Sequence, residues 1–199
     1  MRDLAVSRET ASRLETHLKL LETWSKKINL VGPRELEDYW RRHVLDSAQL
    51  VSLAPAARCW IDLGSGAGFP GLVIACLLAE TPGAEVHLVE SNAKKAAFLR
   101  EAVRETGAPA KVFAVRIEDV DWAAQRYDAV TARALAPLKR LIEHAKPALD
   151  RGAQGFFPKG ADYDAELTAA SDALGGAYKA DVLESLSDPR GRIIRISAG

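Results

Sequence analysis

Four of the eight residues from Gly64 to Gly71 are glycine, and they follow directly on the short apolar run Cys59-Trp60-Ile61-Asp62-Leu63. Glycines at such close intervals remove the Cβ atoms that would block a tight turn, and they let a ligand approach backbone N–H groups. The residues after the cluster, Leu72 to Leu78, read as an apolar helix. Strand, glycine loop and helix in that order make a ligand-binding turn, and few folds accommodate one.

The remaining sequence supports the same architecture. Short strands are predicted at Val86–Val89, Lys111–Val115, Tyr127–Ala132 and Gly155–Phe157. They alternate with helices over Ala93–Glu105, Pro137–Leu149 and Tyr163–Leu174. That alternation predicts right-handed βαβ units around a mostly parallel sheet. Val182–Leu186 and Arg192–Ile196 lack a helix between them, which predicts an antiparallel hairpin at the end. Ahead of residue 57 the pattern is helical instead. Leu14, Leu18, Leu21, Trp24 and Ile28 form one apolar stripe, with Ser7, Glu9 and Thr10 as capping residues before it. Gly32-Pro33 breaks the stripe, and a second run places Leu36, Trp40, Val44, Ala48 and Val51 on one helix face. The expected fold is α/β, a doubly wound sheet of about seven strands over 57–199, with a helical cap over 1–56 in the same globule.

The 199 residues suit one domain, and 27 Lys+Arg against 27 Asp+Glu exclude a general polycation. Nucleic acid would have to be met by a local patch. Cys59 and Cys76 provide neither a disulfide framework nor a zinc ligand set, so no metal site is expected. Membrane spans need about 18 uninterrupted apolar residues. None occurs, and Met1–Val6 lacks an apolar signal core, so a cytoplasmic protein is expected.

Beyond the glycine loop, three positions point to chemistry. Glu90 ends the second strand, where a carboxylate can accept hydrogen bonds from both hydroxyls of a ribose. That geometry serves NAD and S-adenosylmethionine alike. Gly66, Gly68 and Gly71 fit a dinucleotide frame, whereas Asp62 and the additional Gly64 resemble the first motif of S-adenosylmethionine-dependent methyltransferases. In that fold, the turn at Arg116-Ile117-Glu118-Asp119 would border the adenine. Arg133, in Thr131-Ala132-Arg133-Ala134, sits at a strand's carboxyl end, facing the ligand crevice or making an ion pair. Lys26-Lys27, Arg41-Arg42 and Lys139-Arg140 are basic pairs able to touch phosphates.

Taken together, these motifs resemble the small-subunit ribosomal RNA guanine-N7 methyltransferases, also called glucose-inhibited division protein B. The resemblance runs through Asn29-Leu30, Arg42-His43-Val44-Leu45-Asp46-Ser47, the glycine loop, Glu90-Ser91 with Lys94-Lys95 and Phe98-Leu99, Arg116-Ile117-Glu118, Ala132-Arg133-Ala134 and Lys159-Gly160. It implies S-adenosylmethionine held by Asp62, Gly64, Gly66, Gly68, Phe69, Glu90, Ile117, Glu118 and Arg133. Arg133, Asn29 and Lys159 would serve the reaction, and His43, Arg116 and Arg192 the RNA. The implied substrate is 16S ribosomal RNA in the small subunit or its precursor, at guanine 527, with no DNA or membrane partner. Transfer to N7 would be in-line and without a general base. Two rival readings are a cofactor-binding regulatory module and a methyltransferase acting on a small molecule or a protein.

Overall fold

In the computed structural model, residues 6–32 and 36–199 are described; Pro33 of the expected break and the first five residues lie outside that range. Seven strands form one sheet in the order β3-β2-β1-β4-β5-β7-β6. They are β1 Cys59–Leu63, β2 Glu85–Val89, β3 Ala110–Phe113, β4 Ala129–Thr131, β5 Gln154–Lys159, β6 Tyr178–Glu184 and β7 Arg192–Ala198. The first five run parallel, and β7 pairs antiparallel with both β5 and β6. The chain steps outward from β1 to β3, then returns to place β4 on β1's other side. That reversal opens a crevice at the carboxyl ends of β1 and β4.

Both faces of the sheet are covered, which is why its central strands read as nearly unbroken apolar runs. Alternation along β1 sends Trp60 into one core, with Leu72, Leu88, Phe98 and Phe156. Ile61 and Leu63 go into the other, with Val89, Val130, Leu138, Leu141 and Phe157. Helices α3 (Gly71–Leu77) and α4 (Ala93–Thr106) cover the first face, and α5 (Leu138–Leu149), α6 (Tyr163–Ala169) and α7 (Ser171–Leu174) the second.

The N-terminal helix α1 (Arg8–Ser25) starts where the Ser7 hydroxyl accepts the Thr10 N–H at 3.1 Å. Its stripe places Leu14 and Leu21, both fully buried, in the same core as Trp60. Trp24 Nε1 donates to Glu101 on α4 at 3.2 Å.

Three elements depart from the sequence reading. The second helical run is not regular: Tyr39–Leu45 is a π-helical turn that leads into α2 (Asp46–Leu53). Its i→i+5 spacing turns Tyr39, His43 and Val44 inward together, leaving Trp40 half-buried. The helix expected over 163–174 is split at Ala170, whose bend pushes that fully buried residue into the second core before Gly175 ends α7 at φ +52°. The strand expected at 182–186 runs from Tyr178 to Glu184. Charged Lys179 and Asp181 mask it in the sequence, and the Ser185 hydroxyl accepts the Ser187 and Asp188 N–H groups, starting a turn there. The remaining boundaries shift by only a few residues. Among the described residues no helix is long and apolar enough to cross a membrane.

Since Leu21 is fully buried where α1 packs on α3 and α4, Leu21→Ala should destabilise the protein by about 2–5 kcal/mol. Thermal unfolding should show a midpoint lower by roughly 5–15 °C.

Candidate active site

The glycine loop spans residues 64–70 between β1 and α3. Asp62 anchors it from below: the carboxyl is fully buried, and Oδ2 accepts the Gly71 N–H at 3.0 Å. A Cβ at Gly71 would lie 2.6 Å from the Asp62 side chain, so this approach of helix to strand requires glycine. Asp62 Oδ1 is buried with no hydrogen-bond partner. Burial raises the carboxyl's pKa to about 7, against the lowering effect of hydrogen bonds and of Arg133. Glu90 anchors the loop from the side. Its Oε2 accepts the Gly66 N–H at 2.9 Å and its Oε1 the Asn92 N–H at 2.8 Å.

Two cavities flank the loop. The smaller, about 380 Å³, is lined by Gly64, Glu90, Arg116, Ile117 and Glu118, with His144 and Leu135 closing it. The larger, about 780 Å³, lies among the π-helical turn, the ends of β4 and β5 and the loop before β7; His43, Arg133, Lys159 and Arg192 line it. Ala134 and Leu135 belong to both walls. Ala134 adopts φ +52°, unusual for a residue other than glycine, and Leu135 lies over Gly64.

Arg133 holds the larger cavity together. Its NH1 group donates to the Arg42 carbonyl at 2.8 Å and to Asp46 Oδ2 at 3.1 Å; NH2 donates to His43 Nδ1 at 2.6 Å. The His43 ring therefore accepts at Nδ1 and is neutral. Its pKa falls to about 3, through burial first and the Arg133 charge second. The ring stacks on Phe69, with centroids 4.2 Å apart, and the Arg133 guanidinium lies 5.0 Å from the Phe69 ring centre. Asp46 Oδ1 accepts from Ser187 at 2.7 Å, tying the loop before β7 to the cap. Lys159 donates to the Ala136 carbonyl at 2.9 Å and to Glu166 at 2.6 Å. The same Glu166 oxygen accepts the Leu138 N–H. Arg192 donates to the Pro189 and Gly191 carbonyls and lies over Tyr163.

The structure thus gathers most of the expected residues at one crevice but divides them differently. Arg116, expected on the RNA side, lines the smaller cavity, paired loosely with Glu118 on the surface. Asn29 is exposed in the turn after α1 and lines neither cavity. Gly68 and Phe69 form the buried side of the loop and line neither cavity, with Phe69 among the rings of His17, Tyr39 and His43. Glu166 and Leu135 were missed as site residues, while Asp46, legible in the Arg42–Ser47 motif, was given no partner there. His17 was missed too, although a histidine inside the α1 apolar stripe is itself a signal. Among the described residues, no cluster of His, Cys, Asp and Glu is suited to a metal ion.

Residues 10–186 match the family described as GidB, rRNA small subunit methyltransferase G. The chain belongs to this family. A Bradyrhizobium diazoefficiens protein named ribosomal RNA small subunit methyltransferase G is 58% identical over 83% of this chain and 64% of its own length. A protein of the same name from Rhodopseudomonas palustris (strain BisB18) is 50% identical over 97% of this chain and 82% of its own. Among solved structures, the O-methyltransferase from Bacillus cereus in complex with SAH aligns with a TM-score of 0.65 at 14% identity, over 98% of this chain and 94% of that one. A mutant of MtNAS in complex with S-adenosylmethionine aligns with a TM-score of 0.62 at 17% identity, over 95% of this chain and 72% of that one. The sheet is therefore the Rossmann-like methyltransferase sheet.

Two outcomes follow from the Arg133 and Asp62 environments. Lysine cannot reproduce a fork that reaches three acceptors, so Arg133→Lys should cost about 1–3 kcal/mol in thermal or denaturant unfolding. A variant as stable as the parent would show that the fork bears no load. The second concerns pH. Burial lowers the pKa of His17 to about 4 and that of His43 to about 3, while Asp62 is raised to about 7. Between about pH 4 and 6.5 the unfolded chain carries one more proton at each histidine, and the folded chain one more at Asp62. The balance favours folding as pH rises, so the thermal midpoint should climb over that range. Above it only Asp62 still contributes, and stability should turn down near pH 7. Asp62→Asn, which keeps an acceptor for Gly71, should abolish the downturn in melting curves taken across pH.

Proposed function

We propose that this chain transfers the methyl group of S-adenosylmethionine to N7 of a guanine in 16S ribosomal RNA, at the family's guanine 527. One observation carries the reading: two cavities of different character share the Ala134–Leu135 wall at the carboxyl ends of β1 and β4.

The smaller cavity fits an adenosine. Glu90 can accept from ribose hydroxyls on its rim, and Ile117 and Glu118 offer an apolar face and a polar edge for a base. Asp62 Oδ1, buried without a partner, suits the ammonium of a methionine moiety and would be satisfied by it. When bound, S-adenosylmethionine supplies a sulfonium whose methyl carbon is open to attack by a lone pair.

The larger cavity fits RNA. Six cationic side chains face it against four carboxylates. Arg133, Lys159 and Arg190 are paired with Asp46, Glu166 and Asp188, whereas Arg41, Arg42 and Arg192 have no carboxylate partner among the described residues. Those three arginines can meet phosphates. An open loop of RNA suits such a site, since the N7 edge within an RNA duplex faces a groove that side chains cannot enter.

Guanine N7 carries a lone pair and no proton, so these residues have no proton to remove. Their work is to orient the base, exclude water and hold Arg133 and Lys159 still. The neutral His43, engaged at Nδ1 by Arg133, is in keeping with a site without a general base.

Small ribosomal subunits lacking the modification, incubated with labelled S-adenosylmethionine, test this directly. Label should enter 16S RNA as N7-methylguanine at one nucleotide. Label in protein, in another base or in no macromolecule would refute the reading. Single-turnover rates at saturating reactants should be flat from about pH 6.5 to 8.5; a tenfold rise per pH unit would reveal a base and a different target atom.

A further inference from the structure

His17 is fully buried on α1, a helix that lines neither cavity. Its Nε2 is 2.9 Å from the Ala67 carbonyl oxygen, which can only accept, so this nitrogen carries the proton. On the other side, Nδ1 is 3.1 Å from the Tyr39 hydroxyl, which also reaches the Leu14 carbonyl at 3.0 Å. The Tyr39 hydroxyl has one proton to share between Nδ1 and Leu14, so the firm hold on the ring is its Nε2–H to the glycine loop, with Tyr39 against its other edge. Contact with the loop is close: a Cβ at Gly68 would lie 3.1 Å from His17 Nε2. Ala67 stands between two functional points of the loop, Gly66, whose N–H meets Glu90, and Phe69, whose ring stacks on His43.

We propose that His17 is a positioning residue for the cofactor, its Nε2–H holding the Ala67 carbonyl so that the glycine loop keeps the shape in which Gly66 meets Glu90 and Phe69 meets His43. The cap is then part of the cofactor site without touching the cofactor. Burial, which favours the neutral ring, keeps the single Nε2 proton directed at Ala67. This assignment rests on the reading that the loop binds S-adenosylmethionine.

Binding of S-adenosylhomocysteine, measured by calorimetry on four proteins, tests it. The wild type should bind; if it does not, the cofactor reading fails and the proposal with it. His17→Phe keeps the ring volume and its aromatic neighbours but removes both nitrogens. It should weaken binding about tenfold, with a matching rise in the cofactor KM and little change in the RNA KM. His17→Gln restores an N–H donor at the Nε2 position and should recover most of the affinity. Leu21→Ala loosens the same helix without touching the loop and should bind as the wild type does. The proposal is overturned if His17→Phe binds normally, if His17→Gln folds and is no better than His17→Phe, or if Leu21→Ala weakens binding equally. Should His17→Phe not fold, hydrogen exchange on the wild type decides. Coupling is reciprocal, so ligand should slow exchange in α1 around Leu14–Leu21, and unchanged exchange there would overturn the assignment.

Discussion

The buried contact between Asp62 and the Gly71 N–H governs the rest of the site. It joins the end of β1 to the start of α3, so the seven residues between them must close into a loop of one shape. Gly71 has no alternative, since any Cβ would run into Asp62 and Leu88. The arrangement opposes the carboxylate form, because the group lies out of water with one oxygen unpaired. Burial is accordingly the largest influence on this carboxyl, and it outweighs the lowering effects of its hydrogen bonds and of Arg133.

A second set of polar contacts makes the N-terminal helices part of this site. Apolar packing of Leu14 and Leu21 would hold α1 to α3 and α4 without specifying its register to a fraction of an ångström. A directional contact from His17 to Ala67 supplies that register, while Arg133 to His43, Asp46 and the Arg42 carbonyl, and Ser187 to Asp46, place the π-helical turn and the start of α2. His17 to Ala67 is fully buried and the Arg133 contacts with His43 and Asp46 are partly so, which makes an unmatched partner there costly. The larger cavity is bounded by these contacts. Its walls come from five separate stretches of chain, two of which the Arg133–Asp46 ion pair joins directly.

Much of this was legible in the sequence where the signal is local. The glycine loop, the parallel strands with their crossover helices, and the final antiparallel hairpin all leave period-two, period-3.6 or glycine patterns within short windows. Glu90 was legible for the same reason, since a strand-end acid after a glycine loop has a position as soon as the strand is recognised. Less was legible where charge or irregular winding hides the pattern. Lys179 and Asp181 mask β6, which lies at the sheet edge, and the π-helical turn alters which residues of the cap face inward.

Contacts between distant segments were beyond it. Sequence alone established the parallel strands with their crossover helices and singled out Gly64, Glu90, Ile117 and Glu118, which line the smaller cavity, because backbone sterics and hydrophobic periodicity act over a few residues. Only the tertiary structure decided that Arg133 is bound by the cap, that Arg116 faces the smaller cavity, that Asn29 stands apart and that His17 reaches Ala67. Those outcomes depend on how helices dock and which buried donors find acceptors 50 to 91 residues away. Such pairings leave no period in the chain; they are set when the whole core closes.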